Sequence, residues 1–279
     1  MQSQTGIAPG SIKKSSKSVK IKEVISALER FAPLPLQESF DNAGLQCGLT
    51  EMQASGALLC LDVTEAIVDE AVSKGCNIIV SHHPLLFHGL KTISDRDQVQ
   101  RTVVRAIQNG ITVVSMHTNF DNARGGVNFK IAEKLGLGDV RFFAAKTVDG
   151  IECGSGVVGE LPEAMASADF VRRVKTVMEA DVAHCNQLLD RKIKTVALCG
   201  GAGSFLLPDA ISEGADAFIT GEMHYHEYFG HEQEIQIVVI GHYESEHFTN
   251  EIFYKIIREE CPSLPLFMAE TSTNPIISI

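Results

Sequence analysis

Two adjacent histidines close the apolar run "CNIIVSHHP", and two further apolar runs close in a related way, "ITVVSM" running into "HTNFD" and "IQIVVIG" into "HYESE". The groups so placed are His82, His83, His117, Asp121, His242 and Glu246. Imidazole and carboxylate without thiolate suit zinc, manganese, iron, cobalt or nickel, and residue identity alone does not choose among them. Side chains of adjacent residues at a strand end diverge, so His82 and His83 can reach two ions, or one can bind while the other orients. Pro84 fixes the backbone just after them. Asp121 and Glu246 offer anionic oxygen, and a carboxylate can bridge two cations where neutral imidazole cannot. Two divalent ions about 3.5 to 4 Å apart would acidify a shared water and yield a hydroxide nucleophile near neutral pH. A lone histidine at a strand end is ordinarily a hydrogen-bonded core or surface residue, so the convergence of several such ends carries the metal reading. His88 lies beyond Pro84 without a carboxylate partner and stays outside it.

The elements that must position these groups alternate. "VKIKEVISALERF" has Val24, Ile25, Leu28 and Phe31 at helical spacing and is ended by Pro33 and Pro35; the loop "PLQESFDNAGLQCG" follows. Then come the strand "GALLCLDV", a helix capped by Thr64, the strand "CNIIVS", the helix "DQVQRTVVRAIQNG" and the strand "ITVVSMH". The second half repeats the rhythm through "IKTVALCGG", "LLPDAISEG", "ADAFITG", "EIQIVVIGH", the helix "SEHFTNEIFYKIIREE" and "LPLFMAE". Short apolar strands spaced by helices predict an α/β fold of two lobes with mostly parallel strands, and ligands at such sheets gather beyond the carboxyl ends of the strands. The expected division is a disordered tail at residues 1–18, one lobe at 19–138 and a second at 139–279, with the final helix and strand free to pack back on the first. The Gly-broken middle, about residues 140–185, joins or bridges the lobes.

Composition excludes several classes. At 279 residues, 44% hydrophobic and 21% charged, the chain can bury a full core. Its apolar runs are far shorter than the ~20 residues of a membrane span, and no apolar stretch near Met1 could serve as a signal peptide, so a cytoplasmic location without membrane partners is expected. The seven cysteines form no Cys-x-x-Cys pair and read as reduced core thiols. With 24 basic and 35 acidic residues the net charge of −11 opposes binding to phosphate backbones, so nucleic acid is not the expected main partner.

Taken in order, "SFDNAGLQCG", "SHHPLLF", "HTNFDNARGGVN", "ADAFITGEMHYHE" and "GHYESE" resemble the NIF-three-like proteins, also labelled GTP cyclohydrolase I type 2 homologues. The motifs span Ser39 to Glu246, and the set is far more specific than any one of them. The resemblance implies a metal site in the cleft between two α/β lobes, two divalent metal ions per chain and a ring-shaped homohexamer. It implies His82, His83, Asp121, His242 and Glu246 as ligands, with Glu246 bridging, and it puts His117 beside them. The interval from Asp121 to His242 is too short for the large domain that some relatives insert. Around this centre, His226 in "MHYHE" and His117 are the catalytic candidates for proton transfer. Asp41 and Asn42 are candidates to bind substrate or orient histidines, and Gly201 and Gly203 in "GGAGS" to hold an anion through backbone amides. The function so expected is a dinuclear metal-dependent hydrolase acting on a small phosphorylated or purine-like molecule. The alternative is a non-catalytic metal-binding scaffold or regulatory protein acting through protein contacts.

Overall fold

The computed structural model describes residues 18–279, so the expected tail lies outside the described residues except for Ser18. Helix α1 (Ile21–Phe31) buries Ile21, Val24, Ile25 and Leu28. Strand β1 (Gly44–Cys47) precedes β2 (Ala57–Cys60), α2 (Glu65–Ser73), β3 (Ile78–Ser81), α3 (Gln98–Gln108) and β4 (Thr112–Ser115). Thr64 accepts a hydrogen bond from the Ile67 amide and Asp97 one from Gln100, which satisfies amides that the first turns leave free. Gly75 and Gly110 follow these helices at φ +70° and +65°, a conformation that costs glycine little.

Helices α4 (Thr118–Asp121) and α5 (Val127–Leu135) lead to β5 (Gly138–Phe143), the hairpin of β6 (Lys146–Val148) and β7 (Ile151–Cys153), and β8 (Gly156–Ala166). After α6 (Ser167–Val177) come β9 (His184–Cys185), β10 (Lys192–Cys199), α7 (Leu207–Ser212), β11 (Ala217–Thr220) and β12 (Gln236–Val239). The chain closes with α8 (His242–Glu246), α9 (Thr249–Glu260) and β13 (Leu266–Met268). No described helix is long and apolar enough to cross a membrane.

Two larger sheets result, ordered β1-β4-β3-β2-β13 and β5-β8-β10-β11-β12-β9. The chain passes to the second sheet at Gly138 and returns to the first with β13, while α9 packs on α1. One apolar core holds Leu28, Leu59 and Val80 together with Val196, Ile219 and Val238, so residues of both sheets share it.

The expectation of mostly parallel strands needs correction. In the first sheet only the β1–β4 pairing is antiparallel, but in the second the β5–β8, β8–β10 and β12–β9 pairings are antiparallel and only β10–β11 and β11–β12 are parallel. The missed strands share a cause: β2, β3, β4, β11 and β12 are buried along their length and read as unbroken apolar runs, whereas β8 is largely exposed over "ELPEAMA" and the four-residue β1 buries Gln46 while exposing Leu45, against the polarity of its residues. The long helix expected over "SEHFTNEIFYKIIREE" is also broken, into α8 and α9.

One close approach fixes α4 in place. A Cβ added to Gly126 would lie 1.8 Å from the Phe120 carbonyl oxygen. Gly126→Ala should therefore lower stability by about 3 kcal/mol or more, since backbone must move to admit it. Urea unfolding measures this, and a wild-type midpoint would contradict it.

Candidate metal centre

All six parallel strands that could point at a common site do so with their carboxyl ends. Beyond β2 stands Asp62, beyond β3 His82 and His83, and beyond β4 His117; beyond β10 lies the Gly200–Gly203 turn, beyond β11 Glu222 and beyond β12 His242. Helix α8 then places His242 and Glu246 four residues apart on one turn, and His117 and Asp121 hold the same spacing across α4. Ligand atoms come within 4.8 Å of one another in three sets: His82, His83 and His117; His83, His242 and Glu246; and His82, Asp121 and Glu246.

Each of these four imidazoles is held from behind. His82 Nδ1 is 2.9 Å from the Met116 carbonyl oxygen, His83 Nδ1 2.7 Å from Asp62 Oδ1, His117 Nδ1 2.8 Å from Asp41 Oδ1, and His242 Nδ1 2.9 Å from Glu222 Oε1. Carbonyl and carboxylate oxygens accept, so Nδ1 carries the proton in each ring and Nε2 faces forward. Glu246 Oε2 receives these nitrogens, 2.9 Å from His83 Nε2, 3.1 Å from His242 Nε2 and 3.8 Å from His82 Nε2.

The electrostatics follow. Burial opposes charge on His83 and His242, but neighbouring carboxylates outweigh it: Asp62 and Glu246 lift His83 to about 10, and Glu246 lifts His242 to about 9. Burial likewise opposes charge on Glu246, and His242, His82 and His83 together outweigh it and hold the carboxyl well below its ordinary range. Asp121 moves the other way, because burial and then the charge of Glu246 push it up to about 7.

Whether a cation suits this cluster is decided at His82. Its ring is fully buried, Nδ1 donates to a carbonyl, and Nε2 has no hydrogen-bond partner. In the neutral ring that Nε2 is a lone pair aimed at Asp121 Oδ1 and Glu246 Oε2, 3.6 and 3.8 Å away. An acceptor facing two other acceptors in the interior is costly unless a cation stands between them. The donor set fits a divalent metal.

The other residues expected from the sequence divide. Asp41 does not line the cavity beside the cluster; buried, it binds His117 through Oδ1 and the Thr118 amide and hydroxyl through Oδ2. Burial opposes its charge, but His117 and Thr118 hold the carboxyl at about 2. Asn42 donates to the Leu86 carbonyl at 2.7 Å, tying its loop to "SHHPLLF". The amides of Gly201 and Gly203 already donate to Ser245 Oγ and Thr220 Oγ1, so these two are not free to hold an anion. Gly201 instead makes room: a Cβ there would lie 2.3 Å from Glu246 Oε1. His226 is on an exposed turn beside Tyr225 and Phe229 and does not line the cavity. Sequence reasoning passed over Asp62 and Glu222, although each follows an apolar strand as the histidines do.

The cavity itself measures about 840 Å³, and its lining includes His83, His117, Asp121, His242 and Glu246. Buried asparagines build its frame: Asn128 joins the Gly200 amide to the Asp121 and Ser155 carbonyls, and Asn122 joins Leu36, Glu38 and Ser155. These are the asparagines of "FDNARGGVN".

The sequence model of a family described as Duf34/NIF3 (NGG1p interacting factor 3) matches residues 19–275. A Clostridium acetobutylicum protein named GTP cyclohydrolase 1 type 2 homolog is 34% identical over 232 residues, covering 82% of this chain and 86% of its own. NIF3-like protein 1 of Drosophila melanogaster is 31% identical over 271 residues, covering 93% and 89%. Among solved structures, a hypothetical protein of Staphylococcus aureus superposes with a TM-score of 0.85 at 26% identity, covering 93% of this chain and 99% of that one.

Proposed function

The chain belongs to the Duf34/NIF3 family, and from that membership and the unpartnered His82 Nε2 we propose that it is a dinuclear metal-dependent hydrolase acting on a small phosphorylated or purine-like molecule. His82, His83, Asp121, His242 and Glu246 would hold two divalent ions in a cleft between two lobes, with Glu246 shared between them. Such ions would supply Lewis acidity, acidifying water and polarising a phosphoryl group or ring carbon. The chain's own part is to orient and to carry protons. Asp62 and Glu222 fix the rings of His83 and His242, and Asp41 fixes His117, whose forward nitrogen borders the cavity and is the group we assign to proton transfer. The cyclohydrolase chemistry in the names of relatives would have water add to a purine carbon and formate leave, and GTP with formate as readout belongs in the substrate panel. Turnover of at least one phosphoester, nucleotide or cyclic amide by metal-loaded protein, abolished by chelation, is the expected result. Full loading with no turnover across the panel would favour a metal-binding scaffold instead.

The reading has a proton signature. In the metal-free protein His83 and His242 hold their protons up to about pH 10 and 9, while a metal ligand must be neutral imidazole. Loading at pH 7 should therefore release protons, and the release should fade as pH rises through 9 and 10. Titration calorimetry in buffers of different ionisation enthalpy reads it, and heats that do not vary with buffer at pH 7 would count against these ligands. The proposal also includes a homohexamer, for which light scattering should return six times the 30.3 kDa chain mass; a monomer at micromolar concentration would remove that part.

A further inference from the structure

The segment that follows β13 reaches both halves of the cluster through residues outside the ligand set. It starts tied to the first sheet and its helix: the Ala269 amide donates to the Leu59 carbonyl at 2.9 Å, and the Glu270 and Thr271 amides donate to Oε1 and Oε2 of Glu70 at 2.8 and 3.0 Å. Thr273 Oγ1 then donates to Asp62 Oδ2 at 2.8 Å, while Asp62 Oδ1 receives His83 Nδ1. The next residue serves the other half, Asn274 Nδ2 donating to Glu244 Oε1 at 2.9 Å. Glu244 lies in α8, between His242 and Glu246.

Thr273 repeats an arrangement found at a second imidazole. Asp41 gives Oδ1 to His117 and Oδ2 to the Thr118 hydroxyl, as Asp62 gives Oδ1 to His83 and Oδ2 to Thr273. A carboxylate bonded on both oxygens cannot rotate without breaking a hydrogen bond, so the oxygen facing the imidazole stays fixed. Thr118 adjoins His117 in the chain, whereas Thr273 is distant in sequence and reaches Asp62 only when its segment is docked. The Asp62 side chain is 35% exposed, so water can replace the Thr273 hydroxyl without holding one direction. Asn274 is itself fixed, because its Oδ1 accepts from the Ile276 amide at 3.0 Å. Glu244 is confined as well, its Oε2 filling the space that a Cβ on Gly241 would take.

We propose that residues 271–274 form a clasp that fixes the two halves of the imidazole–carboxylate cluster relative to one another. Thr273 is a positioning residue for His83, acting through Asp62, and Asn274 is one for α8, acting through Glu244. Docking of this segment and binding of metal are then coupled, each strengthening the other by the same factor. The proposal rests on the metal-binding reading for what the cluster holds. The ties themselves exist in the metal-free chain, which lets the two readings fail separately.

The test is zinc affinity by chelator competition, with amide hydrogen exchange on the full chain, metal-free and zinc-loaded. Thr273→Val keeps the shape and removes the hydroxyl; it should weaken zinc about 3- to 10-fold, less than the loss of a group bonded directly to a ligating histidine. Thr273→Ser, which restores the hydroxyl, should bind as wild type does. In an Asp62→Asn background Thr273→Val should cost little more, because the path through Asp62 is already broken. Zinc should slow exchange over residues 271–276 in wild type but not in T273V/N274A. In the metal-free double variant, exchange over residues 242–247 should be faster than in wild type. An undiminished further loss in the Asp62→Asn background, or no recovery with Thr273→Ser, would overturn the role of Thr273, and unchanged exchange over residues 242–247 that of Asn274. Wild type that binds zinc while Thr273→Val binds it equally removes the clasp and keeps the metal reading. Wild type that takes up no zinc, with faster exchange over residues 242–247 in the double variant, keeps the clasp and removes the metal reading.

Discussion

Glu246→Gln should weaken divalent-metal binding by about 100-fold or more, the largest effect of any single change at this site. Its Oε2 is the atom on which His83 and His242 converge and which His82 Nε2 also faces, so one carboxylate oxygen serves every part of the cluster. The amide keeps the shape but presents neutral groups to three imidazoles, removing both the charge that favours a cation and an oxygen able to bridge two. Asp62→Asn touches no metal, yet it loosens the His83 ring from behind and should cost about 10- to 100-fold. Competition with a chromophoric chelator gives both numbers. Equal affinity of Glu246→Gln and wild type, with both folded by circular dichroism, would remove Glu246 from the ligand set.

The second large effect concerns rate. On any substrate the metal-loaded protein turns over, His117→Asn should keep its ions and lose about 10²-fold or more in kcat, the usual contribution of a positioned proton carrier. Asp41→Asn should lose part of that rate and move the pH profile, because the carboxylate no longer fixes the His117 ring. His226→Ala should match wild type, since its exposed ring packs on Tyr225 and Phe229 away from the cavity. Wild-type turnover by His117→Asn would end the assignment of proton transfer to that residue and leave the metal ligands untouched. Loss of ions from the same variant would make His117 a ligand, as its closeness to His82 and His83 permits.

Much of this arrangement was legible because buried parallel strands announce themselves as apolar runs and functional groups follow their ends. That reasoning reached His82, His83, His117, Asp121, His242 and Glu246, which the fold brings together. It stopped short of Asp62 and Glu222 because a single carboxylate after a strand has no local feature that separates it from a turn residue. Only the close approach of each to an Nδ1 in the folded chain shows its part. The Gly-rich turn misled for a related reason. "GGAGS" reads as free amides, whereas Ser245 and Thr220, distant in sequence, already occupy two of them, and the glycines are needed for close packing against Glu246 and Cys199. His226 stands apart from the cavity because a strand end fixes where a chain emerges, not where it goes five residues later. The antiparallel edge of the second sheet was hidden by exposure, since a strand covered on one side or neither has no apolar run to show.

The central claim is that these residues hold two metal ions. Elemental analysis of wild-type protein purified without chelator tests it most directly. The account predicts close to two divalent ions per chain, restored on reloading after chelation; protein that emerges metal-free and takes up no zinc, manganese, iron, cobalt or nickel on titration would contradict it.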